Sequence, residues 1–459
     1  MNRVTKRTWL MGLFVIMLLG GILFFVWEYF TQARTWVMFP GSPHVYNNGN
    51  IGCGTVVDRD GVILLSIGDG RQYSDNEMTR KSTLHWLGDR KGSISAGAIA
   101  NYASQMSGFD MVNGLYNYSD IPSTASLTIS ARVQNAALAA LGSQKGTVGV
   151  YNYKTGEIIC AVTAPTYDPD NVPDMSDDPE GAFEGVYVNR FLQSRYVPGS
   201  IFKIVTAAIA LETVPDIQNR TFTCYGEYDY GSETEKVTCE TAHGTLDLEG
   251  ALAHSCNCCF AQIAKLIGRK NMTKYVSKYE VMEPIRFDGV KSAAGNYDNS
   301  NTGGVSFAWS CIGQHTDLVN PCGFMTFMGT IASGGQGVYP YLVSGIETDE
   351  GVVYEAKTRK TSSIMDGEIA RTIRSYMRHN VQEIYGDENF PGLSVCAKSG
   401  TSQLGGNQKS NAMFAGFVEN EEYPFAFMIV VENGGYGSAA CVPILSKVLA
   451  ECKKMVDEK

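Results

Sequence analysis

The sequence predicts an α/β protein in which one antiparallel sheet is flanked by helices. Three observations support this fold class. Strand-like segments occur toward both ends of the chain, a helix-patterned block lies between them, and an uncharged apolar run opens the sequence. The 459 residues suffice for two or three domains, one of which can hold a large core.

The apolar run covers residues 9–27 and comprises 19 uncharged residues. A helix of that length can cross the hydrocarbon core of a membrane, which is about 30 Å thick. A signal peptide is the main alternative, but its apolar region usually spans only about 7–15 residues and ends at a small-residue cleavage site. A lipoprotein anchor is disfavoured because the first cysteine is Cys53. We therefore expect residues 9–30 to form an uncleaved transmembrane anchor.

Three basic residues, Arg3, Lys6 and Arg7, precede this run, and no acidic residue does. The positive-inside tendency places residues 1–8 in the cytoplasm and everything after the anchor outside the cell membrane. Subtracting these three positive charges from the net charge of −10 leaves −13 for the rest of the chain. Such an acidic exterior argues against nucleic acid as a partner.

The elements after the anchor follow from short-range patterns of apolar and polar residues. Residues 31–121 should form a small domain of mixed character that contains two strands joined near Arg59. The later patterns are strand-like, then helical, then strand-like again. The predicted elements are strands at 54–58, 60–65 and 125–129, a helix at 131–141, a hairpin of 147–153 with 158–162, a helical block at about 200–285, strands at 413–418 and 425–431, and a terminal helix from about Val442.

Ser200 and Lys203 lie three positions apart in the segment YVPGSIFK, residues 196–203, at the start of an apolar helix-patterned run. Side chains at i and i+3 share a helix face, so this hydroxyl and amine can meet within hydrogen-bonding distance. Lysine can serve as the base for a serine nucleophile only if burial or nearby positive charge lowers its pKa. Pro198 and Gly199 fit a helix that begins near Ser200, where backbone N–H groups favour a developing oxyanion. The spacing alone also occurs in ordinary solvated helices.

Two further segments indicate that this spacing belongs to a catalytic motif. Ser255-Cys256-Asn257 and Lys398-Ser399-Gly400-Thr401 follow in that order, the second ahead of an apolar, β-rich stretch. Together the three segments resemble the Ser-x-x-Lys, Ser-x-Asn and Lys-Thr/Ser-Gly motifs of the penicillin-binding protein and serine β-lactamase superfamily.

The resemblance extends over about residues 122–456 and is closest to class B, monofunctional penicillin-binding proteins. It implies the penicillin-binding transpeptidase fold, an antiparallel sheet flanked by helices plus an all-helical subdomain, over residues 122–459. Residues 31–121 would then be a short pedestal behind the transmembrane helix, although the usual Arg-Gly before the first pedestal strand is absent.

The resemblance also implies a role for each motif residue. Lys203 would accept the Ser200 proton, Ser255 would relay a proton to the departing amine, and Asn257 would hold a substrate amide. Lys398 would supply positive charge, while Ser399 and Thr401, on either side of Gly400, would bind the substrate carboxylate. The backbone N–H groups of Ser200 and Thr401 would form the oxyanion hole.

The implied activity is a peptidoglycan D,D-transpeptidase. It would cross-link stem peptides that end in D-Ala-D-Ala through a serine acyl-enzyme, without a cofactor, and β-lactams such as penicillin would acylate the same serine. The resemblance also implies a polytopic glycosyltransferase partner of the shape, elongation, division and sporulation (SEDS) family. The membrane span would contact that partner, or would only tether the domain.

Other functions share these motifs. A class D type β-lactamase or a β-lactam sensor would usually have valine at the position of Asn257. A D,D-carboxypeptidase differs in its acceptor, which is water. A catalytically idle cell-wall scaffold is the alternative from another class, and it is disfavoured because every polar motif residue is present.

Twelve cysteines are many for an exported domain. Cys224 and Cys239 flank a hairpin-like segment that a disulfide could close, although sequence does not determine connectivity. His254, Cys256, Cys258 and Cys259 lie close together, yet we predict no metal site there. Structural zinc sites usually combine two ligand pairs, and no distant pair matches this group. We expect these cysteines to pack as small hydrophobic residues.

Overall fold

The structure is a computed structural model that describes residues 2–39, 42, 45–47, 50–68, 70–107, 109–110, 114–115, 123–176, 178–179, 181–231, 235–297, 304–349, 351–403 and 409–458. Its centre is a five-stranded sheet in which every neighbouring pair is antiparallel. The predicted antiparallel sheet and the predicted hairpin are thus confirmed. In spatial order the strands are Ile158–Ala164, Gly146–Asn152, Phe425–Val431, Asn411–Val418 and Val395–Ser402.

Helices cover both faces of this central sheet, as the predicted fold class requires. The strand Phe425–Val431 alternates between the two layers because successive side chains of a strand point to opposite faces. Phe427 and Ile429 pack with helices Ala131–Leu141 and Gly437–Asp457, whereas Met428 and Val430 pack toward helix Pro321–Ala332. The sheet is therefore buried on both sides, which explains why its strands are continuously apolar.

The helical subdomain lies between the strands Ile158–Ala164 and Val395–Ser402. The predicted block at 200–285 is largely helical, but two short hairpins interrupt it, Phe222–Cys224 with Gly244–Leu246 and Glu227–Asp229 with Lys236–Thr238. The helices of this region are Arg190–Gln193, Lys203–Thr213, Leu248–Ala253, Asn257–Ile267, Arg269–Lys278, Gly304–Ile312, Pro321–Ala332 and Gly367–Asn380, with a 3₁₀ turn at Gly199–Phe202 and a π-helical turn at Val381–Tyr385.

A second sheet of six strands joins segments from three parts of the chain. The predicted pair near Arg59 is present as Gly54–Val57 and Ile63–Ile67. The predicted strand at 125–129 is observed as Thr124–Leu127, but it pairs in parallel with Gly54–Val57 and does not join the central sheet. The remaining strands are Arg71–Tyr73, Val343–Thr348 and Gly351–Glu355. The predicted domain boundary at 121/122 lies outside the described residues.

The other elements are short, apart from the helix Glu77–Leu87. They comprise helices Gly97–Ala100 and Ala103–Met106, and the strand pairs Tyr46–Asn47 with Asn50–Ile51, Phe109–Asp110 with Gly114–Leu115, Arg286–Phe287 with Val290–Lys291, and Gln336–Val338 with Lys360–Ser363. The terminal helix begins at Gly437 and not at Val442, because Thr401 Oγ1 accepts a hydrogen bond from the Gly437 N–H at 3.1 Å and anchors this helix start.

The chain opens with the helix Asn2–Val37, which contains a candidate membrane span over Arg3–Ala33. The most apolar part of this span makes no buried contacts with the rest of the protein. Contact with the folded domain begins only at the end of the helix, where Ala33 and Met38 are buried. The rest of the chain therefore does not bury the apolar side chains of this helix, which remain available for contact with a membrane.

We expect a variant that starts at residue 31 to be soluble without detergent, because it loses the exposed apolar side chains and keeps Ala33 and Met38. Its midpoint of thermal unfolding should lie within about 2 °C of that of the full chain, since few contacts are removed. Sedimentation and calorimetry measure both properties. An aggregated or unfolded product would contradict this account of the helix.

Candidate active site

Ser200 lies in the 3₁₀ turn Gly199–Phe202, which leads directly into the helix Lys203–Thr213. The turn is held against the edge strand Val395–Ser402 of the central sheet. Gly199 has a φ of +55°, and a Cβ on it would lie 2.5 Å from the Thr401 carbonyl oxygen. Only glycine combines this left-handed backbone with so close an approach. The serine is thereby pressed against the strand that carries the third motif.

Lys203 is completely buried, and its Nζ lies among four oxygen atoms. It is 2.9 Å from Ser200 Oγ, 3.1 Å from Ser255 Oγ, 2.8 Å from the Ser255 carbonyl oxygen and 2.7 Å from Asn257 Oδ1. The last two oxygens can only accept hydrogen bonds. A neutral amine satisfies both with its two N–H groups and keeps its lone pair for the Ser200 hydroxyl.

The Asn257 amide is oriented by a second contact. Its Nδ2 donates a hydrogen bond to the Thr238 carbonyl oxygen at 2.9 Å, so Oδ1 is the atom that faces Lys203. Ser255 has a φ of +54°, which is uncommon for a residue other than glycine. The next residue, Cys256, caps the helix Asn257–Ile267. This sharp turn directs both the Ser255 hydroxyl and its carbonyl oxygen toward Lys203.

Lys398 is the second completely buried lysine of the site. Its Nζ donates to Ser255 Oγ at 3.1 Å and to the Ser399 carbonyl oxygen at 2.9 Å. Burial lowers the pKa of Lys398 to about 7. Burial, and next the charge of Lys398, holds the pKa of Lys203 well below its usual range. The Ser255 hydroxyl thus bridges two amines that burial disposes to lose their protons.

The edge strand brings the remaining motif residues to the same place. Tyr385 fixes Ser399 twice, since its hydroxyl lies 2.9 Å from Ser399 Oγ and accepts the Ser399 N–H at 2.9 Å. Gln314 donates to the Thr401 carbonyl oxygen at 3.0 Å. Gly400 lies against the nucleophile turn, and a Cβ on it would be 2.8 Å from the Pro198 carbonyl oxygen. The strand and the turn are therefore in direct backbone contact.

The motif residues open onto a cleft of about 490 Å³. Ser200, Ser255, Asn257, Ser399 and Thr401 line it, while the two lysines lie beneath its floor. Trp309 also lines the cleft, as do Tyr436 and Glu240, whose hydroxyl and Oε1 lie 3.3 Å apart at its rim. The cleft thus exposes hydroxyl groups above buried amines.

All eight residues that the sequence motifs singled out lie in this one place: Ser200, Lys203, Ser255, Asn257, Lys398, Ser399, Gly400 and Thr401. Sequence reasoning missed Tyr385, for which no short-range pattern exists. It also gave no role to Gln314, which lies in the segment Ile312-Gly313-Gln314. The rim residues Trp309, Glu240 and Tyr436 were not anticipated either.

Cys256, Cys258 and Cys259 are buried in the core, as the packing prediction requires, whereas the disulfide that the sequence left open is absent. Cys224 and Cys239 are free thiols and do not form a disulfide. The Cys256 thiol lies with Cys224, Cys239 and His243, which the sequence-based grouping with His254, Cys258 and Cys259 did not include. Among those, the Cys258 thiol faces the Val237 carbonyl oxygen at 3.5 Å. The sequence-based grouping relied on proximity along the chain. In the structure, the two hairpins bring the upstream residues Cys224, Cys239 and His243 to Cys256.

Known proteins with similar sequences identify the family to which this architecture corresponds. The family model of the penicillin binding protein transpeptidase domain matches residues 146–450. Peptidoglycan D,D-transpeptidase PbpA of Mycolicibacterium smegmatis is 25% identical over 353 residues, which cover 69% of this chain and 70% of that protein. Stage V sporulation protein D of Bacillus subtilis is 24% identical over 419 residues, 86% of this chain and 60% of that protein.

Solved structures show the same fold. The penicillin G acyl-enzyme complex of penicillin-binding protein A from M. tuberculosis superimposes with a TM-score of 0.72 at 21% sequence identity, covering 88% of this chain and 99% of that one. This likeness confirms the predicted arrangement of a sheet flanked by helices.

We expect Gly199→Ala to be much more costly than Gly334→Ala. Both glycines have a positive φ, +55° and +78°, so alanine incurs a backbone strain of about 1 kcal/mol at either position, but a Cβ on Gly334 would meet nothing within 4 Å. Only the Gly199 variant also forces a methyl group against the Thr401 carbonyl, which should add about 1–3 kcal/mol. Urea unfolding measures the difference. Equal losses in the two variants would show that the turn and strand are not in the described contact.

Proposed function

This chain belongs to the penicillin-binding protein transpeptidase family, and we propose that it is a peptidoglycan D,D-transpeptidase that acts through an acyl-enzyme on Ser200. The observation that carries the proposal is the 2.9 Å contact between Ser200 Oγ and the Nζ of a completely buried lysine. A buried amine without its proton is the base that a serine nucleophile requires.

Acylation begins when Ser200 Oγ attacks the carbonyl carbon between the two terminal D-alanines of a stem peptide. The hydroxyl proton passes to Lys203, whose lone pair faces it while both of its N–H groups are held by Ser255 and Asn257. The developing oxyanion is bound by the backbone N–H groups of Ser200 and Thr401. Each such donor commonly contributes about 3–4 kcal/mol to the stabilisation of the transition state.

The terminal carboxylate of the substrate binds where Ser399, Thr401 and Lys398 converge. Two hydroxyls exposed in the cleft orient this carboxylate, and the Lys398 amine beneath them supplies the charge. An arriving carboxylate stabilises the ammonium form of Lys398 because opposite charges favour the charged state. Substrate binding therefore favours the cationic form of Lys398.

Ser255 completes the proton pathway. Its hydroxyl lies 3.1 Å from Lys203 Nζ and 3.1 Å from Lys398 Nζ, and it lines the cleft. It delivers a proton to the amine of the departing D-alanine as the carbon–nitrogen bond breaks. The amine of a second stem peptide then attacks the ester, gives up a proton by the same route and releases Ser200. The product is a cross-link between two stem peptides.

The contacts of Lys203 disfavour a class D type β-lactamase, which uses a carboxylated lysine to activate water. A carbamate is an anion and needs hydrogen-bond donors. Here the Ser255 carbonyl and Asn257 Oδ1 are acceptors, and the Thr238 contact keeps the asparagine amide turned that way. The amine is consequently favoured over its carbamate, and the acyl-enzyme lacks an activated water.

We propose that the helix Asn2–Val37 anchors the protein in the membrane once, with the N-terminus in the cytoplasm and the catalytic domain outside. The exposed apolar surface of the helix supports the anchor, and Arg3, Lys6 and Arg7 support its direction. This arrangement places the cleft in the compartment that contains peptidoglycan. A SEDS-type glycosyltransferase is the membrane partner that we propose for the same helix.

We expect Ser200→Ala to abolish covalent labelling by a fluorescent penicillin while leaving the fold intact, because the hydroxyl forms the bond and makes few packing contacts. Ser438→Ala is the matched control, since Ser438 lines the same cleft and, among the described residues, its hydroxyl makes no hydrogen bond to a motif residue. Gel fluorescence measures labelling, and mass spectrometry should locate the adduct on the peptide that contains Ser200. An adduct on another serine, or no adduct on the parent chain, would overturn the proposal in favour of another nucleophile or an idle scaffold.

We also expect penicillin to label the chain in a one-to-one ratio for many minutes to hours, with negligible hydrolysis of nitrocefin and no increase on adding bicarbonate. The physical reason is that an uncarboxylated Lys203 does not activate a water molecule to hydrolyse the ester. The time course of label release and the absorbance of nitrocefin measure these properties. Sustained nitrocefin turnover that disappears in Ser200→Ala would instead identify a β-lactamase.

A further inference from the structure

Four potential metal ligands meet beside the active-site cleft. The Sγ atoms of Cys224, Cys239 and Cys256 and a ring nitrogen of His243 all lie within 4.8 Å of one another. We propose that these residues form a zinc site that ties the Ser255 turn to the neighbouring hairpins. The proposal concerns metal binding and does not rest on the proposed function.

Two separations between the ligand atoms agree with tetrahedral coordination. Bond lengths of about 2.3 Å for zinc to sulfur and about 2.0–2.1 Å for zinc to nitrogen place two sulfurs about 3.8 Å apart and a sulfur and a nitrogen about 3.5 Å apart. Cys239 Sγ and Cys256 Sγ are separated by 3.8 Å, and Cys224 Sγ and His243 Nδ1 by 3.5 Å. A single ion at the centre can reach all four atoms after small side-chain rotations.

Backbone structure brings these ligands together from separate segments. Cys224 pairs with Gly244 in a two-stranded ladder, which sets the adjacent His243 beside it. Cys239 directly follows the strand Lys236–Thr238 of the second hairpin. Cys256 is the cap of the helix Asn257–Ile267. The spacing of three residues between Cys239 and His243 is typical of zinc ligand pairs.

Each of the three sulfurs also accepts a backbone N–H at 3.4 Å. The donors are Gly226 to Cys224, Cys258 to Cys239, and Cys259 to Cys256. Such bonds stabilise negative charge on sulfur, and the thiolate is the form that binds a metal. Cys224 and Cys256 are buried, which protects the centre from solvent. Three thiolates and one imidazole form a closed, soft donor set that favours zinc in a structural role.

The site is placed to support the Ser255 turn. Cys256 lies between Ser255 and Asn257, both of which contact Lys203. The Asn257 amide reaches the Thr238 carbonyl, next to Cys239. A metal bound to Cys239 and Cys256 would therefore link the hairpin strand that ends at Thr238 to the helix that begins at Asn257. Cys239 and His243 also line the cleft, so the proposed ion would lie beside the substrate site.

The test measures metal in the full chain, purified in detergent under reducing conditions without chelator. Elemental analysis should find one zinc per chain. After the zinc is removed, added Co²⁺ should give the intense visible and near-ultraviolet bands of tetrahedral cobalt bound to thiolates. Cys224→Ser/His243→Asn should weaken cobalt binding by more than about 100-fold, since it removes two ligands. Cys311→Ser/Cys322→Ser, which alters two buried cysteines outside the cluster, should leave the bands unchanged.

Three results would overturn the zinc site. One is a parent chain that contains no zinc and gives no cobalt bands. Another is a cobalt spectrum that survives in the Cys224/His243 variant. The third is a disulfide between Cys239 and Cys256, found by mass spectrometry in protein isolated without air. If the Cys224/His243 variant does not fold, the metal content and cobalt spectrum of the parent chain decide the question alone. None of these readouts depends on reactivity with penicillin.

Discussion

The site depends on the burial of two lysine amines on either side of one serine hydroxyl. Lys203 and Lys398 are both fully enclosed, and Ser255 Oγ lies 3.1 Å from each Nζ. Among the described residues, no carboxylate affects the pKa of either amine. Burying an unpaired ammonium is costly, so the site favours at least one neutral amine. We propose that Lys203 is this neutral amine and the base that makes Ser200 reactive.

The fold holds this arrangement through backbone contacts that leave no room for side chains. Gly199 and Gly400 bring the nucleophile turn against the edge strand. Gly437 starts the terminal helix so close to that strand that a Cβ on it would lie 2.3 Å from the Gly400 carbonyl oxygen. Because the strand belongs to a sheet that is buried on both faces, the turn rests directly on the core of the domain. The helical subdomain supplies the Ser255 turn as well as the nucleophile turn.

Much of this was readable from the sequence because the information is local. The motifs Ser200 to Lys203 and Lys398 to Thr401 each occupy one short segment, and strand or helix patterns identify the elements that carry them. The assembly of the Tyr385 hydroxyl on Ser399, or of Cys224 with Cys256, depends on how distant segments pack. Strand Thr124–Leu127 shows the same limit, since its pattern predicts a strand but not the sheet that it joins. Contacts set by tertiary packing leave no periodic signal in one sequence.

The most direct measurement of the neutral amine is the pH dependence of the free energy of unfolding, compared between the parent chain and Lys203→Met. The pKa of Lys203 is depressed in the folded protein, whereas the unfolded chain should have the ordinary value of about 10.4. As the pH falls below that value, the unfolded state binds a proton that the folded state does not, so the parent loses stability. We predict that Lys203→Met gains stability relative to the parent as the pH falls from about 10 toward neutrality. Parallel profiles over this range would mean that Lys203 is buried as an ammonium, and would contradict its role as the base.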